Sequence, residues 1–417
     1  MERLSEILKE RGYVYQYTGT LEEVVDKAPR TFYWGVDPSG DSMQVGQLMG
    51  ILVLRRFVEA GHKLIILVGG GTGMIGDPSG KSAERVFLAD EVVARNTEAL
   101  HCQFSRFLGG VDFEMVNNAE WLHSVNLMEF LRDIGKHFTV NEMIKRDNIR
   151  PRLETPDASI SYTEFTYALL QAYDFLHLHD KKKCDLQIGG SDQWGNIVSG
   201  VDLIRRKTGD VVHALTWPLL IDKKTGKKFG KSEGGTVWLD ATKTSPFEFY
   251  QFWFNLDDEA IEEYFLKMTL LTKDAIAGIA EKHHANPAAR VAQSELARTV
   301  TSFVHGDEIS RIAETVSGIL FGDSDIAKIT EKERDMLVRS APNVGVALGD
   351  TLVDVLVHSG LASSKREARE FMANKAVSVN GTSAINPEYV FDSKSFTQGI
   401  AFLRRGKRNV SVLILNS

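Results

Sequence analysis

Cysteine is nearly absent. Cys102 and Cys184 are the only two in 417 residues, too few for a disulfide framework or a zinc cluster. Long apolar runs are missing too, and none approaches the roughly 18 residues that suggest a membrane-spanning helix. Residues 1–11 (MERLSEILKER) are charged and amphipathic, unlike a secretory signal. The cytoplasm is therefore the expected compartment, and no membrane partner is expected. There is no internal repeat and no low-complexity tract. With 43% hydrophobic and 25% charged residues, the composition is that of a globular protein with full-sized cores. The length calls for two or three domains.

Charge is unevenly spread. The whole chain is −7 at neutral pH, yet residues 351–417 hold nine Lys/Arg and five acids, a net +4 that leaves −11 for the rest. A small basic module on an acidic protein suggests a nucleic-acid partner, although charge alone favours a solvated basic surface.

The first half reads as α/β. Residues 31–37 (TFYWGVD) form a strand running into a turn, and a helix follows over 44–60. Residues 63–68 (KLIILV) form a buried strand, and 183–188 another. Strands alternating with helices predict a mostly parallel, doubly wound sheet. Beyond about Ser245 the pattern turns helical, over 247–268, 273–284 and 286–304. Residues 321–349 mix short polar and apolar pieces, consistent with a linker. Two helices over 351–359 and 365–374 then precede strands at 376–379 and 410–415.

One helical stretch, 161–174 (SYTEFTYALLQAYD), carries polar residues in an unusual place. Tyr167, Gln171 and Asp174 stand at i, i+4 and i+7, along one face, among apolar Phe165, Leu169, Leu170 and Phe175. Buried polar groups need partners. Either an internal network bracing the core or a pocket for a small polar ligand satisfies that need.

Several phosphate motifs fail on inspection. GTGMIG at 71–76 matches a dinucleotide fingerprint, but 88–108 reads as a helix, with no second strand ending in an acid to hold a ribose. GKS at 80–82 and at 230–232 resembles the end of a P-loop. In both, the preceding glycine (Gly76, Gly226) leaves three intervening residues where four are needed. The surviving candidates are turns at strand ends: 35–47 (GVDPSGDSMQVGQ), which leads into a helix N-terminus able to receive phosphate, 189–195 (GGSDQWG), and the lysine-glycine loop 227–232 (KKFGKS).

In this order the turns are specific. The chain resembles the bacterial-type tyrosyl-tRNA synthetases, class I aminoacyl-tRNA synthetases, over essentially its full length. The resemblance rests on 76–81 (GDPSGK), 161–175, 187–196 (QIGGSDQWGN) and 228–232 (KFGKS). Residues 130–138 (FLRDIGKHF) match a region that supports the homodimer in that family, and the last 67 residues resemble an S4-type RNA-binding module. The resemblance implies a doubly wound, Rossmann-like parallel-sheet catalytic domain over 1–225 and a helical tRNA-binding domain with the KFGKS loop over 226–320. A linker over 321–350 and a small α+β S4-like RNA-binding domain over 351–417 would follow.

It also implies an activity, tyrosine–tRNA ligation through a tyrosyl-adenylate, and roles for named residues. Tyr33 and Asp174 would bind the phenolic hydroxyl of L-tyrosine, Asp77, Tyr167 and Gln171 its α-amino group, and Gln193 would lie near its carboxylate. Gly35, Asp37, Gly190 and Asp192 would hold ATP. Lys228, Lys231 and Ser232 would meet the departing pyrophosphate. Mg²⁺ would accompany ATP as substrate, with no metal site and no tightly bound cofactor in the protein. tRNA(Tyr) and a second copy of the chain are the implied partners.

The chain departs from the family at its first turn. Two signature histidines around a glycine are Gln44 and Gln47 here, and Trp34 stands where the residue is usually small and close to the ribose. Glutamine can donate to a phosphate oxygen but carries no charge. The departure leaves two alternatives to a tRNA ligase: an RNA-binding paralogue that has lost adenylation, and a tyrosyl ligase for an acceptor other than tRNA.

Overall fold

The computed structural model describes residues 2–77, 79, 88–146, 149–155, 159–222, 226, 228–232, 235–322, 326–406 and 409–416, excepting the side chains of 151, 152, 231, 232 and 327. The chain forms two compact units, Met1–Lys243 with Glu262–Ile276, and Thr244–Ile261 with Ala277–Ser417. It has an α/β sheet domain, a helical region and a C-terminal α+β domain.

The first unit is built on six strands: β1 (Gln16–Tyr17), β2 (Thr31–Val36), β3 (Lys63–Val68), β4 (Phe113–Asn117), β5 (Cys184–Gly190) and β6 (His213–Trp217). Their order is β1-β6-β5-β2-β3-β4. All neighbours are parallel except the short edge strand β1. Strand β3 shows why the sheet is parallel: from Leu64 to Val68 every residue is apolar and buried, as strands covered on both faces must be. Strand order reverses at β2, which pairs with β3 on one side and β5 on the other. In open parallel sheets such a reversal opens a crevice beyond the carboxyl ends of the strands.

The helices of this unit include α1 (Val45–Glu59), α2 (Asp90–Phe107), α3 (Tyr162–Lys182) and α4 (Trp194–Thr208), of which α1 and α3 line the crevice. Helix α3 begins where Ser161 accepts the Glu164 backbone N–H at 3.2 Å. It ends at Lys183 in the left-handed conformation, with Lys181 and Lys182 in the last turn, where positive charge complements the helix dipole. Strands β1, β4 and β6 did not stand out in the sequence: β1 is two residues long, β4 is only partly buried, and β6 is a five-residue, mostly buried run without alternation.

In the later part of the chain the expected helix over 247–268 is two, α5 (Pro246–Phe254) and α6 (Ile261–Met268). Helix α5 stops where Arg290 donates to the Phe254 carbonyl at 2.6 Å. Arg290 itself is left-handed, φ 52°, and the helix expected from 286 starts only after it, as α7 (Val291–His305). Helix α8 (Asp307–Phe321) follows. The 321–349 stretch is more structured than a linker. It holds α9 (Glu331–Ser340), started by a Thr330/Glu333 capping box, and strand β7 (Asn343–Val346).

Beyond β7 come α10 (Leu352–His358), α11 (Lys365–Ala373), β8 (Val377–Val379), β9 (Thr382–Ser383), β10 (Ile400–Arg405) and β11 (Asn409–Leu415). The sheet runs β9-β8-β10-β11-β7, and β7 lies parallel to the final strand β11. One core of this unit joins Ile312, Val316, Ile319 and Leu320 of α8 to Phe402 and Val412 of the sheet. Among the described residues no helix is long and apolar enough to cross a membrane.

Candidate active site

A cavity of about 320 Å³ opens at the strand-order reversal, lined from β2, α1, α3, β5 and the segment after β6. Of the residues expected from the sequence it gathers Tyr33, Gly35, Asp37, Gln44, Gln47, Asp77, Tyr167, Gln171, Asp174, Gly190, Asp192, Gln193 and Lys228. The backbone of Lys231 and Ser232 forms a two-residue strand paired with Gly235–Thr236, and their side chains lie outside the described residues, as does Lys81.

The helical face of α3 resolves the choice between network and pocket: it is both. Asp174 is buried and accepts from Trp121 Nε1 at 2.7 Å and Asn118 Nδ2 at 2.9 Å. The same Asn118 amide donates to Thr72 Oγ1 at 3.0 Å, which donates to Asp37 Oδ1 at 2.8 Å. Tyr167 closes the chain by donating to Asp37 Oδ2 at 2.9 Å. Burial pushes the Asp174 carboxyl up to about 7, against the lowering effect of its Asn118 and Trp121 hydrogen bonds, and the Asp37 charge adds to the rise.

Two polar groups facing this cavity are left over. The Tyr33 hydroxyl is fully buried and has no hydrogen-bond partner among the described residues. Burial, then the Asp174 charge, holds it well above the ordinary phenol value. Beside it in register on β5, Gln187 is 2% exposed with Oε1 unpartnered. A buried orphan is costly unless something fills the site. The side chain of Gln171, halfway along the α3 face, also makes no hydrogen bond among the described residues.

Across the cavity Asp77 accepts from Gln193 Nε2 at 2.6 Å and from the Ser79 backbone N–H at 2.9 Å. The third region is cationic and amidic. Lys228 Nζ lies 3.2 Å from Asp192 Oδ2, and its loop is anchored by buried Phe229 against Tyr264, ring centroids 4.6 Å apart. Gln44 is the N-cap of α1, and its backbone N–H donates to Gln47 Oε1 at 2.9 Å. That bond turns the Gln47 oxygen to the backbone, and its NH₂ donates to nothing among the described residues.

The glycines that imitate a dinucleotide fingerprint have other causes: a Cβ at Gly71 would stand 3.0 Å from Leu122 Cδ1, one at Gly73 would stand 3.1 Å from Pro38 Cδ, and Gly76 is left-handed with φ 85°. Just before them, Gly69 seats part of the network. A Cβ at Gly69 would stand 2.1 Å from Asp37 Oδ1 and 2.4 Å from Thr72 Oγ1. The bare backbone lets the Asp37–Thr72 pair close over it. Asn118, Trp121, Thr72 and Gln187 were not singled out from the sequence. Trp121 sits in a four-residue helix with no periodicity to flag it, whereas Gln187, one polar residue inside a buried strand, was a visible anomaly. Among the described residues, the one group with metal-ligand spacing is Glu98, His101 and Cys102, exposed on α2 and not lining the cavity.

A family model described as tRNA synthetases class I (W and Y) matches residues 26–322. The chain belongs to the class I tRNA synthetases. A second model, the Tyrosine–tRNA ligase SYY-like C-terminal domain, matches residues 334–413. The Tyrosine–tRNA ligase of Anaeromyxobacter dehalogenans (strain 2CP-C) is 44% identical over 425 residues, 99% of each chain. That of Staphylococcus haemolyticus (strain JCSC1435) is 44% identical over 413 residues, 97% of each. Among solved structures, the C-terminally truncated Aspergillus nidulans mitochondrial tyrosyl-tRNA synthetase superposes with a TM-score of 0.67 at 29% identity, covering 75% of this chain and 93% of that one. This synthetase is a tyrosine–tRNA ligase, with tyrosine, ATP and tRNA(Tyr) as its substrates.

Proposed function

We propose that the cavity beyond β2 and β5 adenylates tyrosine, with the amino acid held at the α3 end and ATP at the α1 end. The observation that carries this reading is the Tyr33 hydroxyl, without a hydrogen-bond partner among the described residues, within reach of the charge on the buried Asp174 carboxylate. A phenol entering there donates to Asp174 and accepts from Tyr33, which removes the orphan. Asp77, Tyr167 and Gln171 would receive the α-amino group, which two nearby carboxylates, Asp37 and Asp77, favour as ammonium. Gln193, held on Asp77, would sit by the substrate carboxylate.

That carboxylate is already ionised, so attack on the α-phosphorus needs no general base. A carboxylate oxygen forms the new bond, the bond from the α-phosphorus to the bridging oxygen breaks, and pyrophosphate leaves with the electron pair. The protein supplies alignment and cancels charge on the leaving group. Gly35, Asp37, Gly190 and Asp192 would hold the nucleotide of MgATP. Lys228, Lys231 and Ser232 would meet the pyrophosphate, and Gln44 and Gln47, replacing the family's two histidines, would donate to the triphosphate as neutral groups. The 3′ end of tRNA then takes the tyrosyl group and AMP leaves.

The basic segment 351–417 would hold tRNA as an S4-like module, the helices before it would add tRNA contacts, and the ligase would work in the cytoplasm. Leu127, Met128 and Val140, exposed at 68, 72 and 61%, flank residues 130–138 and support a homodimer formed through that face. Tyrosine-dependent exchange of pyrophosphate into ATP, followed by charging of tRNA, tests the reading. Charging without any tyrosine-dependent exchange would overturn it.

A further inference from the structure

We propose that Trp34 and Trp217 form an aromatic corner that binds the purine nucleoside of ATP, with Gly50 as the seat that admits both indoles. This deepens the adenylation reading and rests on it. Both tryptophans line the cavity. They meet edge to face, centroids 5.6 Å apart at 75°, an arrangement that aromatic quadrupoles favour. Phe104 braces Trp34 from α2 at 5.8 Å and 89°, so the corner is held rigidly.

Gly50 explains how two indoles fit at one place. It lies inside α1, where glycine is unfavourable relative to alanine. A Cβ there would stand 3.0 Å from Trp217 Cζ2 and 3.0 Å from Trp34 Cη2. The helix presents bare backbone because the two six-membered rings pack onto it. The cavity they line is also lined by Gln47, Asp192 and Lys228, and Trp217 Nε1 lies 3.8 Å from where a Gly190 Cβ would stand. Neither indole N–H donates to any described residue, which is unusual for mostly buried tryptophan. A flat, polar-edged ligand would use both the ring surfaces and these donors. A purine offers the larger face, so stacking favours it over a pyrimidine.

Full-length protein titrated with ATP, followed by tryptophan emission and by calorimetry, decides the matter. ATP should quench the emission, and CTP should compete poorly. Trp34→Leu and Trp217→Leu should each weaken ATP binding roughly tenfold, within the range of base stacking, and leave tyrosine affinity unchanged, which also reports a folded site. Gly50→Ala, a change that helix propensity tolerates, should weaken ATP similarly by displacing both rings. ATP affinity equal to the parent in both leucine variants would overturn the corner and leave adenylation standing. A parent protein that binds no ATP would overturn both.

Discussion

Asp174 brings pH into tyrosine recognition. Its carboxyl is pushed up to about 7 by burial, while its unfolded counterpart ionises near 4. The folded pKa is raised, so ionisation disfavours the fold: the penalty builds as pH rises from about 4 to 7 and is constant above. Substrate reverses the preference, because a phenol donates best to the ionised carboxylate. Tyrosine affinity should therefore rise with pH through about 7. Binding only to the ionised form gives about a tenfold gain between pH 6 and 8, measurable by equilibrium dialysis. Asp174→Asn should bind tyrosine weakly and without this pH dependence, and a parallel slope in the variant would assign the titration to another group. The Gln44 and Gln47 amides pose a different question. If their donors act on developing charge, alanine at either position should slow adenylate formation about tenfold or more with little change in tyrosine binding. Presteady-state adenylate formation measures this, and parental rates in both variants would remove the turn from catalysis.

At the scale of elements, legibility followed burial pattern. Strands β2, β3 and β5 and helices α1 and α3 were readable because their apolar residues are continuous or periodic. The i, i+4, i+7 trio on α3 predicted a shared face, and all three side chains do line the cavity. Partners from distant segments were invisible: that Asp174 would meet Asn118 and Trp121 depends on where β4 ends against β3. Strand β7 was missed because its pairing partner, β11, lies some 70 residues on, and the helix over 247–268 was overextended because the carbonyl cap that ends α5 comes from Arg290. Arg11 shows the same dependence. Buried in the first unit, it donates to the carbonyls of Leu266, Thr269 and Leu271, fastening the end of α6 to the N-terminal segment. Arg11→Ala removes a charged donor from three acceptors and should cost about 3 kcal/mol. Denaturant unfolding gives the loss, and tyrosine affinity should be unaffected. A change below about 0.5 kcal/mol would show that water replaces the guanidinium without penalty.

For the whole molecule, the question is whether the basic end can be separated from the rest. Cutting near Gly349 would leave β7 without its partner β11 and would uncover Ile319 and Leu320 of α8, which share a core with Phe402 and Val412. A truncated chain would then confound weaker RNA binding with broken packing. Charge reversal avoids this. Arg366 and Arg369 are exposed on α11, so Arg366→Glu with Arg369→Glu changes the field and spares the core. If this face meets tRNA phosphates, the double variant should bind tRNA about tenfold or more weakly at low salt. Its slope of log affinity against log salt should fall by roughly 0.7–0.9 for each phosphate no longer neutralised. Pyrophosphate exchange should match the parent, because neither arginine lines the tyrosine–ATP cavity. An unchanged salt slope with full tRNA charging would mean that this arginine face of the basic segment is a solvated surface, and that tRNA is held by other residues.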